Sequence, residues 1–209
     1  MMRVIVYCEG QTEETFVNRL LVPYLASKDI FLIASTKGPG GVSKYSKIRN
    51  AVKNWCRQDD SWYVTTMLDY YALPSDTPGK KDAQDLSALD RVKFIENEVY
   101  KDVGEVNFIP NLILHEFEML LFCDVDSFKV IGLSEKELKK LSSIRESVVS
   151  PEEINNRYET SPAHRILNII PDYSKVLDGY NIAKNIDIDN MRRQCHHFDE
   201  WISAIERLG

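Results

Sequence analysis

The chain has 209 residues, 24.1 kDa, with 26 Lys and Arg against 32 Asp and Glu, a net charge of −6 and a pI near 5.3. That length predicts one domain with an appendage, and 44% hydrophobic with 28% charged residues excludes a disordered or fibrous chain. An acidic balance argues against a protein that coats nucleic acid non-specifically, and no apolar run approaches the roughly 18 residues of a membrane span.

Arg3 to Cys8 is a β-branched run that reads as a first strand rather than a signal peptide. Thr12 is a plausible N-cap for a helix near Glu13 to Ser27, which Pro23 bends or shortens. Ile30 to Ser35 reads as a second strand, followed by the loop Lys37-Gly38-Pro39-Gly40-Gly41 and a basic helix over Ser43 to Arg57. Between Lys37 and Arg57 stand six cations and no acid, so Lys37, Lys44 and Arg49 are candidate phosphate contacts, against the alternative of a solvated helix face. The glycines lack the lysine-hydroxyl ending of a Walker loop, although a turn opening a helix still offers backbone N–H groups to a phosphate.

Trp62 to Leu68 reads as a third strand ending at Asp69, and Tyr70 to Ala83 as a long loop of the kind that serves as a lid or binding loop, with Lys80 and Lys81 as further phosphate candidates. A helix over Leu86 to Tyr100 precedes a fourth strand, Val106 to Leu114, broken or bulged at Pro110. His115 to Phe122 reads as a helix that begins at once. This alternation predicts an α/β fold, a parallel sheet with helices on both faces, over residues 1–126. Residues 127–209 form an expected helical extension: Ser134 to Glu146, Pro151 to Asn156, Pro162 to Ile169, Tyr173 to Lys184 and Asp189 to Leu208. Cys8, Cys56, Cys123 and Cys195 form no Cys-x-x-Cys pair and suit reduced thiols in a cytoplasm. Cys195-His196-His197 offers soft ligands, but nothing adjacent in sequence completes a tetrahedral site.

Three strands run straight into acids: Glu9 and Glu13 after the first, Asp69 after the third, Glu116 and Glu118 after the fourth. Open parallel sheets bind ligands beyond the carboxyl ends of their strands. Carboxylates gathered there repel unless a hard cation such as Mg²⁺ or Mn²⁺ holds them together. Taken singly, Glu13, Glu116 and Glu118 are also explained as first-turn helix acids, and Asp69 as a turn residue.

Glu9-Gly10-Gln11-Thr12-Glu13 after a first strand, with Asp69 after the third, resembles the Toprim domain of topoisomerases, primases and overcoming-lysogenisation-defect nucleases. The ordered set of Asp69-Tyr70-Tyr71-Ala72-Leu73-Pro74, His115-Glu116-Phe117-Glu118, Ser161-Pro162-Ala163-His164-Arg165 and Cys195-His196-His197-Phe198-Asp199 makes the whole chain similar to the domain-of-unknown-function family 4276, a Toprim-like bacterial group. The resemblance implies a four-stranded parallel Toprim sheet with a helical tail, and a nuclease using Mg²⁺ or Mn²⁺ on DNA or RNA. In that scheme Glu9 is acid/base or metal ligand, Asp69 the first acid of an Asp-x-Asp pair, and Glu13 an extra ligand. Tyr71 stands where the second aspartate belongs, which puts two-metal chemistry in doubt, with Glu116 and Glu118 as substitutes. The resemblance also implies an ATPase partner in a phage-defence or mobile-element system, and admits a non-catalytic subunit of such a complex.

Overall fold

Alternate side chains of β1 (Met2–Cys8) enter two different apolar clusters, Val4, Val6 and Cys8 on one face and Ile5 and Tyr7 on the other. A strand buried on both faces reads in sequence as an unbroken apolar run. In the computed structural model, which describes residues 2–36, 44–155 and 160–209, β1 pairs in parallel with β2 (Ile30–Thr36) on one side and β3 (Trp62–Asp69) on the other. The fourth position is shared by β4 (Phe108–Ile109) and β5 (Leu112–Ile113), both parallel to β3. Pro110 has no N–H to donate, and the ladder is repaired by side chains beside it. Buried Asn111 donates its backbone N–H to Thr66 Oγ1 (3.0 Å) and its amide to Thr66 O (3.1 Å), while Thr66 Oγ1 donates to Asn111 O (2.6 Å).

The expected layers form. One face is covered by α3 (Tyr45–Cys56) and α4 (Ala88–Val103) through Ile48, Val52, Val92, Ile95 and Val99. The other carries α1 (Gln11–Phe16), which widens into a π turn over Val17–Leu21 before α2 (Val22–Ala26). The wide turn sits next to Pro23, the expected place of disturbance. Thr12 is not the cap; the helix starts two residues earlier than expected, at Gln11 behind Gly10, whose N–H donates to Glu13 Oε2 at 2.9 Å.

Beyond the sheet come two 3₁₀ segments, Phe117–Cys123 and Val125–Ile131, then α5 (Glu135–Glu146), α6 (Pro162–Leu167), α7 (Leu177–Ile186), α8 (Ile188–Gln194) and α9 (His196–Glu206). Phe198, Trp201, Ile202 and Ile205 of α9 enter the same cluster as Val4, Val6 and Phe16, and Trp201 Nε1 donates to Thr65 Oγ1 on β3 (2.8 Å). Two expectations are corrected here. The segment after His115 is a 3₁₀ turn rather than an α-helix, entered through His115 in the left-handed region (φ 66°). The single helix expected over Asp189 to Leu208 is broken at Cys195, which is extended. Buried Glu152 takes the N–H groups of His197 (3.0 Å) and Phe198 (3.2 Å), starting a fresh helix there. Among the described residues no helix is long and apolar enough to cross a membrane.

Candidate functional site

The register of the sheet sets the site. Cys8 lies opposite Met67 and Asp69 opposite Ile113, so β1, β3 and β5 finish at one edge. Glu9 continues the ladder by donating its N–H to Met67 O (3.2 Å), and its Oε2 accepts the N–H of Asp69 (3.1 Å). Asp69 Oδ1 in turn accepts the N–H of Phe117 (3.0 Å), the residue that opens the 3₁₀ segment. The left-handed turn at His115, whose carbonyl accepts the N–H of Tyr71 (3.3 Å), brings Glu116 and Glu118 back to this edge. Glu116 Oε2 accepts the N–H of Ala163 at the start of α6 (3.1 Å). Glu9, Glu13, Asp69 and Glu116 are thus each tethered through one oxygen by a backbone amide, a different amide for each.

The electrostatics separate this cluster from ordinary surface acids. Burial, together with the charges of Glu13 and Glu116, raises Glu9 to about 7 despite the Asp69 N–H bond and the field of Lys175. Asp69 is raised far above the carboxylate range, by burial first and then by Glu13, Glu9, Glu118 and Glu116. Burial likewise raises Glu13 and Glu118, each opposed by Lys175. Such shifts mark carboxylates with too little positive charge around them. Neighbouring His115 is pushed down to about 4, chiefly by burial, and remains a neutral ring at physiological pH.

Lys175 is the residue at this edge that sequence reasoning missed. It precedes α7 in a turn, half-exposed, with Nζ 3.2 Å from Oε1 of fully buried Glu118. Burial works against its charge, but Glu118, Glu116 and Asp69 hold its pKa above the ordinary value. The expected helix over Tyr173 to Lys184 starts only at Leu177, which leaves Lys175 free to turn inward. The available signal was Ser174 with Asp178: Ser174 Oγ accepts the N–H of Leu177 (3.4 Å) and Asp178 Oδ2 that of Ser174 (2.8 Å). Gly179 lets α7 lie close, since a Cβ there would stand 3.0 Å from the Tyr173 hydroxyl and 3.5 Å from the Phe117 ring.

The cationic candidates fare differently. Lys37 lies outside the described residues. Lys44 and Lys81 are exposed. Arg49 is paired with Asp102 (2.8 Å), and Lys80 donates to Leu73 O and lies over the Tyr70 ring (5.6 Å). At the start of α3 the N–H of Tyr45 is taken by Asp76 Oδ1 (3.0 Å), which occupies the anion position expected for a phosphate. The loop after Asp69 is ordered by Arg91, which donates to the carbonyls of Ala83, Gln84 and Leu86 (2.9–3.2 Å). Tyr71, in place of the second aspartate, is hydrogen-bonded through its hydroxyl to Asn155.

Among the described residues no three His, Cys, Asp or Glu side chains stand close enough together to enclose a metal ion. The donors nevertheless fit a hard dication in kind. All are carboxylates, four have raised proton affinity, and Glu118 Oε1, buried, accepts no well-directed hydrogen bond. A wider cleft of about 540 Å³ lies at the opposite, amino end of the strands, where Arg3 covers the Trp62 ring; the acids are not there.

The family described as Domain of unknown function (DUF4276) matches residues 8–206. Among solved structures, the C-terminal region of the Burkholderia pseudomallei OLD protein is similar at 16% identity and a TM-score of 0.50, covering 99% of this chain and 98% of that one. The C-terminal region of the Xanthomonas campestris pv. campestris OLD protein also matches, at 16% identity and a TM-score of 0.44, with 99% and 98% covered. At such identity the first likeness is one of fold. No curated protein matches the chain.

Proposed function

The chain belongs to the DUF4276 family, and from that membership and the anionic edge of its Toprim-like sheet we propose that it is a Mg²⁺- or Mn²⁺-dependent nuclease hydrolysing phosphodiester bonds of DNA or RNA in the cytoplasm. The observation that carries this reading is the gathering of Glu9, Asp69 and Glu116 from three strand ends, joined by Glu13 and Glu118, with Lys175 the one lysine placed among them by the described residues. An ion's ligands would be drawn from Glu9, Glu13, Asp69, Glu116 and Glu118, which would have to close further around it, since no three of them stand near enough to enclose one. When bound, a divalent ion there supplies Lewis-acid polarisation of a phosphoryl oxygen and neutralises the charge that builds up on it.

The chain's own groups do the rest. Glu9, which burial raises to about 7 in the metal-free chain, is the candidate acid/base where it does not ligate the ion. Asp69 Oδ1 accepts the N–H of Phe117, fixing the start of that segment and so holding Glu116 and Glu118 in place. Lys175, held protonated, is the donor available to a phosphate oxygen. With Glu9→Gln or Asp69→Asn we expect Mn²⁺-stimulated cleavage to drop at least a hundredfold, while the melting temperature in a chelator is kept. A wild-type rate from either variant overturns the assignment.

One observation favours a second reading, a non-catalytic subunit acting with an ATPase. Tyr71 fills the second acid position and is committed to Asn155. Titration calorimetry with Mn²⁺ separates the two, because only the nuclease requires uptake of the ion that disappears in Asp69→Asn.

A further inference from the structure

Sequence reading favours helix packing over soft ligation at Cys195-His196-His197, and the histidines turn to carboxylates: His197 Nε2 meets Glu96 Oε1 at 2.9 Å and His196 Nε2 lies 3.3 Å from Glu200. Cys195 faces sulfur instead. Its Sγ lies 3.3 Å from Cys123 Sγ and 4.0 Å from Met119 Sδ. All three residues are buried, at 0%, 7% and 1% exposure, and neither cysteine is in a disulfide. Met119 and Cys123 belong to the 3₁₀ segment that carries Glu118, whereas Cys195 is the extended joint between α8 and α9.

We propose that Cys123, Cys195 and Met119 form a buried three-sulfur site for a soft monovalent cation of the Cu(I) class. Two thiols and a thioether, with Cys195 Sγ within 4.0 Å of both other sulfurs, are a soft donor set that suits Cu(I) and rejects hard ions. Peroxide chemistry at this pair is disfavoured, because the contact with Cys123, together with burial, holds the Cys195 thiol protonated and unreactive. A thiophilic ion needs no free thiolate beforehand, since coordination itself displaces the protons. The step is Cu⁺ + 2 RSH → [Cu(SR)₂]⁻ + 2 H⁺, with Met119 adding a neutral donor, both protons passing to solvent and no change of oxidation state. The product carries one negative charge, and at Cys195 the field of Glu152 opposes that charge while the weaker field of Arg145 favours it. The hard oxygen pocket and this soft site share the Phe117–Cys123 segment, so an ion here pins that segment to the joint between α8 and α9.

The test is an anaerobic titration of the full chain with Cu(I) against a chromogenic Cu(I) chelator. We expect one ion per chain and a thiolate-to-copper absorption band in the ultraviolet. Cys123→Ser and Cys195→Ser should each weaken uptake at least a hundredfold, Met119→Leu about tenfold, and Cys56→Ala not at all. If a cysteine variant fails to fold, Met119→Leu, which conserves volume, still decides the matter. Absence of stoichiometric uptake by the wild-type chain overturns the proposal, as does wild-type affinity in Met119→Leu.

Discussion

Among the described residues, two groups of buried and half-buried carboxylates have surroundings that differ in kind. Around His197 the acids are matched: Glu96 takes the imidazole and the N–H of Leu112 (2.7 Å), Glu152 takes the first N–H groups of α9, and Glu200 is held below its usual range by Lys93. The imidazole is raised there, the fields of Glu96, Glu152 and Glu200 outweighing its burial. At the ends of β1, β3 and β5 the acids outnumber the cations and Glu9, Glu13, Asp69 and Glu118 all shift upward. The first group fastens α9 and the Pro151–Glu153 turn to the sheet. The second is costly to keep ionised, and a folded protein carries such a cost where a ligand relieves it.

Mutation gives the sharpest break. Glu152→Ala strands two buried N–H groups and should lower stability by about 3 kcal/mol in urea unfolding. Glu118→Gln, at the same degree of burial, should leave the metal-free protein as stable or more stable at pH 8. Equal losses in the two variants would erase the distinction.

The pH dependence has a definite sign. Glu9 binds its proton more tightly folded than unfolded, so its contribution to stability is full below about 4.5 and is lost as pH rises to about 7. Asp69, Glu13 and Glu118 act in the same direction. In a chelator, the unfolding free energy from denaturant titration should therefore fall between pH 5 and pH 8, by an amount on the order of 2 kcal/mol. Saturating Mn²⁺ should flatten that slope, because an ion that binds only the folded state adds stability. The smallest effect is expected at Lys175. Lys175→Met should tighten Mn²⁺ binding several-fold, by removing a competing cation, while lowering the cleavage rate about tenfold.

What the sequence tells in advance follows from how local each cause is. The runs Met2–Cys8 and Trp62–Asp69 are buried on both faces, so their apolar residues alone announce two strands and where they end. The acids at those ends were legible for the same reason, and Pro110 marks the break in the fourth strand because a missing N–H is a property of one residue. Lys175 was not legible, since its position depends on Glu118, 57 residues earlier, and on a helix that begins two residues after it. Nor was the interruption at Cys195, imposed by Glu152 from another element. Arg49 and Lys80 look like free cations in one dimension, and only folding brings Asp102 and Leu73 against them.

The amide that steadies Glu116 belongs to Ala163, and the ammonium that answers Glu118 belongs to Lys175. During synthesis the five carboxylates therefore emerge well before either helper has left the ribosome. A chain stalled or clipped ahead of Ala163 would present a bare anionic rim without its brace, the state in which buried charge is least tolerable. The braced form of this edge is a property of the longer polypeptide, and fragments ending before Ala163 should lack it.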